Sequence, residues 1–160
     1  MNPLALRPMT EAEFAAYAET SCADYARNSP HYRDRPLDET LPKVRAEFAR
    51  RLPEGRATKG FLLLSVTLVE GGSERAVGSC EIGESPAGSR TVYIWNFVLD
   101  ASVRGRGHGK RAFALVLERL RALGYAKVGL NVFADNAVAR KIYEEAGFTV
   151  TQMNMERRLG

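Results

Sequence analysis

The residues best suited to chemistry lie in Val98-Leu99-Asp100-Ala101-Ser102-Val103-Arg104-Gly105-Arg106-Gly107-His108-Gly109-Lys110. Tyr93 to Val98 ahead of them read as a strand, and the residues behind read as an amphipathic helix. Three glycines and two arginines therefore stand where a strand hands over to a helix N-terminus. The first amides of a helix have no partner within it and carry partial positive charge. With glycines that let the chain curl around a ligand, they form an anion site, commonly for phosphate. Arg104, Arg106 and Lys110 add full charges. The other reading of the stretch is a tight, charged loop with no ligand. Two familiar phosphate loops do not fit. A Walker A loop needs Ser or Thr after Gly109-Lys110 and a first glycine at position 104, where the chain has Arg111 and Arg104. The dinucleotide fingerprint needs a third glycine where Lys110 stands.

What does fit is Arg-x-x-Gly-x-Gly, as Arg104, Gly107 and Gly109. It resembles the pyrophosphate loop of the GNAT superfamily of acyl-CoA-dependent N-acetyltransferases. A second resemblance follows downstream. Asn136, Ala139, Ile142, Tyr143, Gly147 and Phe148 match the family's Asn-x-x-Ala-x-x-hydrophobic-Tyr-x-x-x-Gly-Phe signature after a strand. The close resemblance covers about Tyr93 to Phe148; the first half matches only in its order of elements.

The resemblance implies a division of labour. Phe97, Val98 and Leu99 would pair with the pantetheine of acetyl-CoA like an added strand. Arg104, Gly105, Arg106, Gly107, His108, Gly109 and Lys110 would hold the pyrophosphate, and Asn136, Ala139 and Tyr143 would contact the CoA arm. A backbone amide near Val98 would stabilise the oxyanion. Tyr143 would protonate the leaving thiolate, since a phenol, near pKa about 10, outlasts a thiol, near about 8.5, as a proton carrier. Tyr143 and Ile142 also fit the apolar face of a short helix, and Asn136 or Asp135 also fits a helix N-cap. Asn131 faces the site or does not. His108 reads as a solvent-facing loop residue, because a pyrophosphate lies far from a thioester sulfur.

The general base is open. Thr91 to Phe97 holds no carboxylate. Glu81 and Glu84 on the preceding strand are the candidates, with a solvated strand face as the alternative; a water chain or an already neutral amine could serve instead. Tyr25, His31, Tyr32, Arg33 and Asp34 form a loop that either closes over an acceptor or crosses the surface. The expected function is transfer of an acetyl group from acetyl-CoA to a primary amine of a small molecule or peptide, by direct attack in a ternary complex. The alternative is a catalytically degenerate acyl-CoA-binding regulator of the same fold. A nucleic-acid partner is not expected, because no basic face interleaves with stacking aromatics.

Elements must position these groups. Leu4 to Arg7 read as a first strand. Thr10 and Glu13 form a capping box for a helix to about Arg27. A second helix begins near Thr40 and stops at Pro53-Glu54-Gly55. Phe61 to Val69, Ala76 to Glu84 and Thr91 to Leu99 read as an antiparallel meander. After the glycine loop come a helix to about Leu123, a strand from Val128 to Phe133, a helix from Ala137 to Ala146 and a closing strand from Phe148 to Arg158. The resemblance turns this order into an α/β (α+β) GNAT fold. Its mixed, mostly antiparallel sheet is splayed between the fourth and fifth strands and flanked by about four helices, with acyl-CoA in the splay.

Length and composition bound the rest. The 160 residues suit one domain, and 45% hydrophobic content is enough for a core. Net charge is +4 and the pI is near 9.3, part of it in the glycine loop. Cys22, Cys80, His31 and His108 show no metal-ligand spacing, and two cysteines make no disulfide framework. With no apolar signal core and no stretch of membrane-spanning length, the expectation is a cytoplasmic protein with no membrane partner. A homodimer stays open.

Overall fold

The computed structural model describes residues 3–157 and 159. The elements run β1 (Leu4–Pro8), α1 (Glu11–Asn28), α2 (Leu37–Arg51), β2 (Phe61–Glu70), β3 (Ser73–Glu84), β4 (Thr91–Leu99), α3 (His108–Ala122), β5 (Lys127–Leu130) and α4 (Ala137–Glu145). One five-stranded sheet has the order β1-β2-β3-β4-β5. The first four strands are antiparallel neighbours, and β5 runs parallel to β4.

Local chemistry starts and stops the helices. At α1 the Thr10 side chain accepts from the Glu13 amide and Glu13 reaches back to the Thr10 amide, the expected capping box. α2 begins at Leu37, three residues before the expected start. Pro36 occupies its N-cap, and Asp38 and Glu39 place negative charge in its first turn.

Alternation along β2 and β3 splits the core into two layers. Leu64, Cys80, Ile82, Val92 and Ile94 pack with Phe113, Val116 and Leu120 of α3 and with Tyr143 of α4. On the other face, Leu63 packs with Met9, Tyr17 and Leu52, with Phe14, Phe48 and Phe61 around them. α1 and α2 thus cover one face of the sheet, and α3 and α4 cover the other.

Two details of β4 matter for function. Ile94 pairs with Ile82, yet Asn96 pairs with Glu81, so Trp95 is an extra residue in a β-bulge. On its other side β4 pairs with β5 only from Thr91↔Lys127 to Ile94↔Leu130. Beyond Ile94 the two strands part, which is the expected splay. β5 accordingly ends at Leu130 rather than Phe133, because Asn131 to Phe133 have no strand to lie against.

The expected closing strand does not form. Phe148 to Arg157 have no regular structure, and Arg158 lies outside the described residues. Phe148 is anchored by its amide on the Tyr143 carbonyl and by the aromatic core, but Val150, Met153 and Met155 are exposed. A strand needs a ladder partner, and the four residues of β5 offer little edge.

Close backbone packing holds β3 against the end of β4. A Cβ on Gly78 would stand 2.5 Å from both the Val98 carbonyl oxygen and Leu99 Cδ2. Gly78→Ala is expected to lower stability by about 1–3 kcal/mol through overpacking, read as a lower denaturation midpoint; an unchanged midpoint would show that β4 yields freely there.

Candidate active site

The glycine loop closes as its residue types require. Gly105 and Gly107 take positive φ, +74° and +75°, which other residues rarely adopt. Gly107 is the N-cap of α3 and provides no side-chain cap for the helix amides. A Cβ on Gly105 or Gly107 would meet nothing within 4 Å. Open space, bare of side chains, thus lies beside the positive end of a helix. Gly109 differs: its Cβ would lie 3.1 Å from Ile142 Cδ1, so this glycine lets α4 approach α3.

The charged residues of the loop are not equally placed. Arg104 Nε donates to the Leu99 carbonyl at 2.8 Å, pinning the loop to the end of β4. Lys110 Nζ lies 3.1 Å from Glu145 of α4, and both are solvent-exposed. Arg106 is exposed. His108 corrects the expectation of a solvent-facing loop residue. It is the first residue of α3 and is buried, with Nδ1 lacking a hydrogen-bond partner among the described residues. The strand-to-helix turn folds inward there, which spacing alone does not reveal.

Asn96 to Leu99 of β4 keep a ladder partner only on the β3 side, and the bulged Trp95 has none on either. Val98 is 38% exposed, while Leu99 is buried and Phe97 packs edge-on against Phe113. Under this stretch lies Tyr143. Its ring packs against Phe113 at 4.9 Å and Phe148 at 6.0 Å. Burial first, and the Cys80 thiol second, push its phenol up to about 12. Cys80 pairs with Phe97, so the phenol reaches the sheet beside the parted segment of β4. No residue among those described hydrogen-bonds its hydroxyl, and the oxygen is not sealed from solvent although the ring is buried. Asn136 caps α4, its side chain accepting from the Ala139 amide at 3.1 Å.

The opposite face of the same opening is built differently. Glu81 is not on a solvated strand face. It is fully buried, accepts from Tyr17 Oη at 2.6 Å and from Arg51 Nε at 2.6 Å, and meets Arg51 Nη2 at 3.5 Å. Burial and the Glu81 charge push the Tyr17 phenol well above its ordinary value. The Arg51 guanidinium lies 4.6 Å over the Trp95 ring and 5.3 Å from Phe48. Glu84 is occupied elsewhere, accepting from the Gly88 amide and the Tyr125 hydroxyl. Sequence spacing missed Arg51, Tyr17 and Trp95, because their association is tertiary.

The α1–α2 connection reaches across the opening. Tyr25 and Tyr32 meet edge-on, Tyr32 donates to Glu47 of α2, and Arg33 lies 3.6 Å from Asp135, next to the α4 cap. This loop therefore links the α1–α2 face to the α4 end of the splay. Among the described residues no three His, Cys, Asp or Glu gather to hold a metal, and no helix is long and apolar enough to cross a membrane.

The mixed sheet, with β5 parallel to β4 and parting from it after Ile94, has the architecture of an acetyltransferase fold, and the acetyltransferase (GNAT) family model matches residues 19–148, so the chain belongs to that family. It is 31% identical to the uncharacterized N-acetyltransferase YycN of Bacillus subtilis strain 168 over 96% of this chain and 97% of that one. The crystal structure of that protein superposes with a TM-score of 0.87 at 30% identity, covering 98% of this chain and 99% of the other. The PaiA N-acetyltransferase of Thermoplasma acidophilum, in complex with coenzyme A, shares the fold with a TM-score of 0.65 at 13% identity, over 95% and 93% of the two chains.

Proposed function

We propose that the chain transfers an acetyl group from acetyl-CoA to a primary amine, with both substrates bound at once. The observation that carries this is the parting of β4 from β5 after Ile94, immediately followed by the bare helix N-terminus of α3. The residues present fit a CoA thioester: the open edge of Trp95 to Leu99 offers unpaired backbone for pantetheine, and the loop from Arg104 to Lys110 offers amides for phosphate. Acetyl-CoA supplies an activated acyl carbon and a thiol leaving group.

The chain's own groups do the rest. The open edge of β4 about Phe97, Val98 and Leu99 fixes the thioester, and a backbone amide near Val98 stabilises negative charge growing on the carbonyl oxygen. The Val98 carbonyl itself is turned toward Gly78 of β3, so the amide is a neighbour's. As the amine nitrogen bonds to carbon and the carbon–sulfur bond breaks, Tyr143 Oη donates its proton to sulfur. The nitrogen's surplus proton leaves to water and the phenolate is reprotonated from solvent, so charge balances. Asn136 and Ala139 hold the N-terminal turn of α4 and so the height of Tyr143. Glu81, buried and engaged by Arg51 and Tyr17, does not take the amine proton.

The test is thiol release from acetyl-CoA across a panel of small primary amines and peptides, read with an aromatic disulfide. The protein adds little background, because Cys22 and Cys80 are buried and burial pushes both thiols up. Amine-dependent release is expected. Tight acetyl-CoA binding without release for any amine would replace an enzyme with an acyl-CoA-binding regulator.

A further inference from the structure

We propose that Arg51 reads the acceptor, and that the acceptor amine is carried beside a carboxylate; the inference rests on acetyl transfer to an amine and names the class of amine.

The sheet separates the two halves of the reaction. Tyr143 and the glycine loop lie with α3 and α4, while Arg51 lies with α1 and α2. Past Ile94 and Leu130 the sheet is open, so an acceptor approaching from the α1–α2 side reaches the thioester through the gap. The first groups at that mouth are the bulged residue Trp95, 46% exposed, its edge-on neighbour Tyr93, Tyr25, 42% exposed, and Arg51.

Arg51 is held in a particular way. Nε and Nη2 face Glu81, a carboxylate with 1% side-chain exposure, and the flat guanidinium face covers Trp95. Nη1 donates to no group among the described residues, and a quarter of the side chain is open, at 24%. A buried ion pair is poor at stabilising a fold, since desolvation offsets the attraction and apolar residues would do as well. What it does well is fix an arginine in one orientation. A guanidinium locked by a carboxylate on one edge and an aromatic ring on its face presents its remaining N–H groups ready-made for a planar anion. Glu81 is then a positioning residue: it orients Arg51 and does not touch the amine.

Trp95 is the chain's only tryptophan, so its fluorescence reports on a ligand at Arg51 without any turnover. Glycine, lysine, phenylalanine and glutamate are titrated into the full chain, each as the free acid and as its α-carboxamide. At least one acid is expected to shift the emission saturably, with its amide roughly tenfold weaker or more, the worth of a charge-assisted hydrogen bond. Arg51→Lys keeps the charge but loses the fork, and should narrow that ratio several-fold. Arg51→Met paired with Glu81→Gln removes both charges, avoids stranding a buried carboxylate, and should erase the ratio. Equal responses to acid and amide, or none to either, overturn the proposal, as does a ratio that survives in the double variant. Thiol release from acetyl-CoA is measured beside it. Release without acid preference sinks Arg51 as the reader and leaves acetyl transfer standing. Acid-selective emission without release does the reverse.

Discussion

Tyr143→Phe is expected to lower kcat by roughly 10²–10⁴-fold, the usual worth of a general acid, while acetyl-CoA affinity stays nearly the same. The ring would still pack between Phe113 and Phe148, so the core loses only an oxygen. That oxygen has no hydrogen-bond partner among the described residues, so its removal strands nothing and stability should hold. A loss confined to kcat marks an interaction that matters only as charge builds on sulfur. The pH profile adds a second reading. With the phenol pushed up to about 12, Tyr143 keeps its proton across the neutral and mildly alkaline range. The plateau of the variant should therefore fall while the shape of its profile below pH about 10 stays that of the parent. Parent-level turnover in the Phe variant would assign the proton to water and leave Tyr143 as core.

Gly107→Val is expected to weaken acetyl-CoA binding about a hundredfold or more, the loss of two or so hydrogen bonds to a charged group. Two causes act together. Gly107 sits at φ +75° and ψ 0°, a left-handed conformation that disfavours a β-branched residue. The new side chain would also occupy the open space beside the first amides of α3. Calorimetry measures the affinity, and circular dichroism checks that the fold survives. Unchanged affinity would remove the phosphate site from this loop. Gly109→Val is a different experiment, because its side chain would strike Ile142 and displace α4, and with it Tyr143. It should reduce both stability and kcat. The two glycines of one motif thus differ: Gly107 borders open space and Gly109 borders α4.

Much of this was legible in the sequence. The order of elements, the antiparallel meander, the α1 capping box and the turn from β4 into α3 all follow from local patterns, and local patterns are where sequence speaks most directly. The splay between the fourth and fifth strands came from family resemblance, not periodicity. What escaped depends on contacts between distant segments. Glu81 alternates with Ser79 and Gly83 and looks like one residue of a solvated face; only the arrival of α1 and α2 buries it, and its partner Arg51 lies 30 residues away. His108 looked exposed because glycines and arginines surround it, yet it turns inward at the start of α3. Phe148 onward has strand-like composition, but composition cannot supply a neighbouring edge.

The two layers of the core also have an order along the chain. Everything that covers the α1–α2 face of the opening, from the Thr10 cap to Arg51, is complete before the second strand begins, and the glycine loop and Tyr143 come from the C-terminal half. The halves meet at β3 and β4, where Glu81 and Trp95 are the points of contact with Arg51. Such a chain is modular in the sense that matters for inheritance. A segment spanning α1, its loop and α2 could be exchanged between relatives, or drift on its own, and change which amine is admitted. The machinery that carries the acyl group would be inherited intact.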